Sequence, residues 1–135
     1  DGQRFRLRRD AQESAADHFR NWYVAVGGEW IITRVALLAS RAGASPKKAV
    51  LRDLGFRWGS CGRNGAVYFN WKLLQLPVRL VDYVIAHELA HLREPHHRIE
   101  FWRILDATLP DWRERREELK TRAQDVYWCH ARMAQ

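Results

Sequence analysis

Cysteine is scarce in this protein: Cys61 and Cys129 are the two present in 135 residues. Two cysteines are too few for a disulfide scaffold, so apolar packing must supply the core. They read as reduced thiols in a cytoplasmic protein. Long apolar runs are also missing; none approaches the ~20 residues of a membrane-spanning helix, which argues against a membrane partner. No secretory leader is visible, nor any repeat, low-complexity tract or linker. The first residue is Asp1 rather than methionine, which suits a single domain lacking N-terminal residues. Acidic residues are in short supply: 16 Asp and Glu face 23 Lys and Arg, a formal net charge of +7. Arg4, Arg6, Arg8 and Arg9 crowd the N-terminus without acidic compensation. That set leaves nucleic acid open as a partner, beside the simpler reading of a basic surface. Arg113, Arg115, Arg116 and Arg122 alternate with Glu114, Glu117 and Glu118 and read as a solvated helix face.

What is present fits a globular domain: 47% apolar residues, 12% aromatics and seven tryptophans, most of them expected in the core. A polypeptide of this length can bury one real core. Phe5–Arg8 alternates like a strand end. Ala11, Ala15, Phe19, Trp22, Tyr23 and Val26 mark a helical face, with a stop expected at Gly27-Gly28. A second helix is predicted over 29–42, ending at Gly43. Asn64-Gly65 signals a hairpin turn between strands at 54–58 and 66–71, within a strand region from 48. Helices are predicted at 77–93, 97–109 and 111–124.

The chemistry concentrates in His87-Glu88-Leu89-Ala90-His91. Residues four apart lie one turn apart on the same helix face. Two imidazoles so placed can hold one zinc ion, and the intervening glutamate can reach a water on that metal. Leu80, Val81, Val84, Ile85, Leu89 and Leu92 supply a core stripe. Pro77 suits the first turn, and Pro95 disfavours helical geometry at Glu94, so the helix ends near Arg93.

Catalytic zinc usually takes three protein ligands and leaves the fourth position for water. His96 and His97 follow the helix break, and Glu100 is a third option. The His91–His97 spacing equals that of the metzincin motif, but Glu94-Pro95 replaces the metzincin glycine turn and no Met-turn is visible. His97 opens an apolar-periodic segment with Phe101, Ile104, Leu105 and Leu109, which would hold a ligand by packing.

Several blocks together carry a resemblance: Arg57-Trp58-Gly59-Ser60-Cys61-Gly62, Asn70-Trp71-Lys72-Leu73, Asp82 through Leu92, His97 with Phe101-Trp102, and Pro110-Asp111. In this order, across roughly residues 50 to 120, they resemble the YgjP-like metallopeptidase family, related to the SprT-like zinc peptidases. The resemblance implies an α+β, zincin-like fold with helices on a short sheet. It implies zinc held by His87, His91 and His97, since the family register places the third histidine four residues before a Phe-Trp pair. It also implies peptide hydrolysis, with Glu88 activating a zinc-bound water as general base. Arg57, Trp58, Ser60 and Asn70 match as candidate substrate contacts, with hairpin stabilisation as the alternative for Arg57 and Asn70 and core packing for Trp58. Asp82 and Asp106 are candidates to orient imidazoles, and Tyr68 or Tyr83 to stabilise an oxyanion. Cys61 is placed near the cleft, where a thiolate can ligate zinc in a resting state. The rival is a zinc-containing module that binds protein or nucleic acid without cutting. Structural sites usually use four protein ligands and need no base, so Glu88 favours the peptidase. Substrate identity and oligomeric state are not encoded in any of these signals.

Overall fold

Four helices pack on a three-stranded sheet, the α+β architecture expected, in a computed structural model that describes residues 2–123. Cys129 and His130 lie outside the described residues. The element order is α1 (Gly2–Ala42), β1 (Lys48–Arg52), β2 (Gly59–Cys61), β3 (Ala66–Asn70), a 3-10 helix (Trp71–Gln75), α2 (Val78–Arg93), α3 (Ile99–Thr108) and α4 (Trp112–Arg122).

The first departure from expectation is α1. The residues at Phe5–Arg8 are helical rather than extended, and no break occurs at Gly27-Gly28. Tertiary contact overrides the glycine signal. A Cβ on Gly27 would lie 2.3 Å from Leu74 Cδ1 and 3.3 Å from Leu51 Cδ1. Gly27 is thus where the helix closes on the 3-10 turn and on β1. A Cβ on Gly28 meets nothing within 4 Å among the described residues. Gly28→Ala should therefore stabilise the fold by about 0.5–1 kcal/mol, through lower backbone entropy in the unfolded state. Gly27→Ala should destabilise it. Thermal melts of the two variants check this, and a lower midpoint for Gly28→Ala would contradict it. Beyond the glycines, Ile31, Val35, Leu38, Ala39 and Ala42 recur at helical spacing and are all buried. Trp22, by contrast, is 58% exposed rather than in the core.

The sheet order is β1-β3-β2. β1 runs parallel to β3, and β2 antiparallel to it. Gly62–Gly65 turns the β2–β3 hairpin, closed by Gly62 N–H donating to Ala66 O at 2.8 Å. The turn falls where Asn64-Gly65 put it, but its first strand is Gly59–Cys61, not 54–58. Residues 53–57 form turns instead: Gly55 N–H donates to Asp53 Oδ1 at 2.9 Å, and Arg57 N–H to Leu54 O at 3.2 Å. Asp and Gly at this spacing favour a turn capped by the aspartate carboxylate over a strand. β2 consequently lies at a sheet edge, against α2.

α2 is the centre of the molecule. Every residue from Leu80 to Ala90 is buried, with α1, α3, α4 and β2 around it. Full burial of a side chain such as Ile85 or Leu89 contributes about 1.5–3 kcal/mol. The helix ends at Arg93, and Glu94 is extended at φ −132°, as the following proline requires. Among the described residues, no helix is long and apolar enough to cross a membrane.

Candidate metal centre and cleft

His87 and His91 project from the second half of α2, one turn apart. His97 comes from the loop after Pro95, two residues before α3 begins at Ile99, rather than from the helix itself. The three imidazoles converge. Their ring centroids are 4.8 Å (His87–His91), 5.4 Å (His87–His97) and 4.6 Å (His91–His97) apart. One nitrogen from each lies within 4.8 Å of the other two. A tetrahedral zinc with nitrogens at ~2.1 Å needs them ~3.4 Å apart, a separation inside that 4.8 Å limit. The donor set, three imidazoles and no thiolate, suits a borderline ion such as zinc. His96 and Glu100 are exposed and outside the cluster. Cys61, half-buried, is outside it too.

Packing holds these rings in place. Phe101 lies within 4.6–5.2 Å of all three, centroid to centroid. Trp102 stacks on His97 at 5.7 Å and on Trp112 at 4.8 Å. His97 is otherwise exposed, so this stack from α3 and α4 supplies its rigidity. The contact of His91 Nδ1 with Glu94 O, 3.3 Å, leaves Nε2 as the nitrogen available to a metal.

Burial, reinforced by His87, holds the imidazole of His91 below its ordinary pKa; the same causes act on His97. Neutral imidazole is the ligand form. The sign of the stability effect follows. As pH falls, the unfolded protein takes up these protons before the folded, metal-free protein does. Stability is full above the ordinary value of 6.5 and declines as pH falls through it towards the lowered folded values. Denaturant titration of chelator-treated protein should give a lower midpoint at pH 5.5 than at pH 7.5; a higher one would contradict the assignment.

Glu88 is 6% exposed, with Oε1 3.3 Å from His87 Nδ1. β2 passes directly over it. A Cβ on Gly59 would lie 2.8 Å from Glu88 Cγ, so glycine is what lets the edge strand close on this carboxylate. A cleft of about 310 Å³ opens beside the cluster. Glu88, His87 and His97 form one side, Trp58 and Trp102 act as walls, and Tyr83 lies beyond. Burial pushes the Tyr83 phenol up to about 12, so it remains an O–H donor at neutral pH.

The other candidates separate. Arg57 and Trp58 line the cleft. Ser60 accepts a hydrogen bond from Arg57 at 3.2 Å on β2. Asn70 does not face the cleft: it is fully buried, its amide donating to Gly55 O and Arg57 O while its Oδ1 accepts from Lys72 N–H. It anchors the loop that carries Arg57 and Trp58. Asp82 pairs with Arg34 through two bonds, 3.0 and 2.5 Å, and Asp106 accepts from Trp112 Nε1; these contacts turn both carboxylates to other partners than the imidazoles. Tyr68 packs under Arg52. Burial, then the charge of Glu88, pushes the Cys61 thiol up, away from thiolate. Arg116, Leu119 and Lys120 of α4 also line the cleft, which the charge pattern of α4 did not announce.

Comparison with known proteins places this geometry. The family described as YgjP-like, metallopeptidase domain, matches residues 1–122. A protease HtpX homolog from Aeropyrum pernix is 38% identical over 72 residues; these are 50% of this chain and 23% of that protein, so the match spans under a quarter of the relative's length. The crystal structure of the metallopeptidase zymogen of Pyrococcus abyssi abylysin superposes with a TM-score of 0.65 at 20% identity. That match covers 77% of this protein and 99% of the other, a likeness of fold.

Proposed function

This protein belongs to the YgjP-like metallopeptidase domain family, and we propose that it hydrolyses polypeptides with zinc held by His87, His91 and His97 and with Glu88 as general base. One observation carries the reading: three imidazoles with donor atoms within 4.8 Å of one another, beside a buried carboxylate, in an open cleft. A zinc ion held there supplies Lewis acidity towards a peptide carbonyl and acidifies water.

The residues supply the rest. Glu88, adjacent to the cluster and shielded by β2, accepts the proton of the attacking water and returns it to the departing amine. Tyr83 can donate a hydrogen bond to the carbonyl oxygen as it gains charge. The outer edge of β2, unpaired among the described residues, offers backbone groups to an extended substrate strand, which gives affinity with little sequence preference. Trp58 and Trp102 narrow the cleft around that strand.

The test is metal removal and return. Purified protein should carry about one zinc per molecule by mass spectrometry and cleave an unfolded polypeptide. Chelation should abolish cleavage, and stoichiometric zinc should restore it. Full cleavage by protein shown to be metal-free would sink the proposal.

A further inference from the structure

The cleft has a second chemical character away from the imidazoles. Its lining includes Arg57 from the loop before β2, and Arg116 and Lys120 from α4, with Glu88 as its carboxylate. These cations differ in how far they are already satisfied. Arg57 donates to Ser60. Lys120 Nζ lies 3.3 Å from Glu117 Oε1. Arg116 reaches that same oxygen only at 3.8 Å, beyond hydrogen-bond distance, and its buried Nε has no hydrogen-bond partner among the described residues. Its guanidinium rests on the Trp112 ring at 5.0 Å, part of the stack that runs through Trp102 to His97. Arg116 is also close enough to Tyr83 to pull that phenol's pKa downward against burial. The Arg116 side chain is still 37% exposed, so a planar guanidinium held on Trp112 can offer its terminal N–H groups, rather than the buried Nε, to a carboxylate. Val84 and Leu119 complete the floor and suit the aliphatic stem of such a group.

We propose that this end of the cleft is a carboxylate-binding subsite centred on Arg116, with Lys120 and Arg57 at its rim. It selects polypeptide segments that place an Asp or Glu side chain, or the terminal carboxylate of the polypeptide, beside the scissile bond. The proposal rests on the peptidase reading and names its substrate preference. Phosphate of a nucleic acid is the competing occupant. The apolar side chains of Val84 and Leu119 in the cleft lining favour an amino-acid side group over a phosphodiester backbone.

The experiment uses zinc-loaded protein and fluorogenic peptides that differ at one position next to the scissile bond: Glu, Gln or Lys, all amidated at the C-terminus. A neutral peptide with a free C-terminus forms a second arm that separates the two carboxylate sources. The Glu peptide, the free-C-terminus peptide, or both should show kcat/KM about tenfold or more above the amidated Gln peptide, the scale of a charge-assisted hydrogen bond. Arg116→Gln should bring that ratio towards one, and Arg116→Glu should favour the Lys peptide. Melting curves confirm that each variant folds, and Lys120→Gln, at the rim, should reduce the ratio less. Equal rates for all peptides in wild type, or a ratio unchanged in Arg116→Gln, would overturn the subsite. If wild type cleaves none of them, the peptidase reading fails by itself. Fluorescence anisotropy of the same peptides then decides: tighter Glu-peptide binding that is lost in Arg116→Gln supports the subsite, and equal binding overturns it. A single-stranded oligonucleotide that binds more tightly than any peptide, and loses that affinity in Arg116→Gln, assigns these cations to phosphate and also overturns it.

Discussion

Glu88→Gln should lower kcat/KM on an unfolded polypeptide by at least ~10²-fold, the usual scale for losing a general base. The substitution keeps the shape of the side chain and removes its basicity. Shape matters here, because Glu88 is 6% exposed and a Cβ at Gly59 of β2 would lie only 2.8 Å from its Cγ. A smaller residue would open a gap under the edge strand and confuse a packing effect with a chemical one. Glutamine avoids that, so the melting temperature and the zinc content should stay near wild type. Loss of zinc would make Glu88 a support of the metal site. Turnover unchanged would mean that another group accepts the proton, or that the cleavage measured belongs to a contaminant.

Removal of His97 should have the second largest effect. His97→Ala should weaken zinc binding by more than about 100-fold, beyond the 10–100-fold typical of losing an outer partner of a ligand. His96→Ala should change it less than about threefold. The two histidines are adjacent in sequence and opposite in surroundings. His97 sits 4.6 Å from His91 and stacks on Trp102, whereas His96 is exposed and outside the cluster. Competition with a chromophoric chelator measures both affinities. The reverse order would show that the loop through Glu94-Pro95 turns the other way.

What could be read from the sequence and what could not divide by range. Local rules determined the helix that carries the site. Pro77 and Pro95 bracket it, and the four-residue spacing puts His87 and His91 on one face whatever surrounds them. The Asn64-Gly65 turn is local in the same sense, and so is the helix stop at Gly43. The third histidine needed the Phe-Trp register of a family pattern, because spacing alone admits His96, His97 and Glu100.

Tertiary structure decided the rest. Two glycines in a row read as a helix stop, yet α1 continues, because Gly27 lets the helix approach Leu74 and a packed helix need not rely on propensity. The spacing of Asp82, five residues before His87, already turned it from the imidazoles, but only the fold shows its partner, Arg34 of α1, 48 residues away. Arg116 and Lys120 sit in a segment so dense in charge that periodicity carries no inward signal. Only the packing of α4 against α2 turns them into the cleft. Spacing along a helix is a property of the backbone and is legible in one dimension. Which face meets which neighbour is set by contacts between distant segments, and no local pattern encodes it.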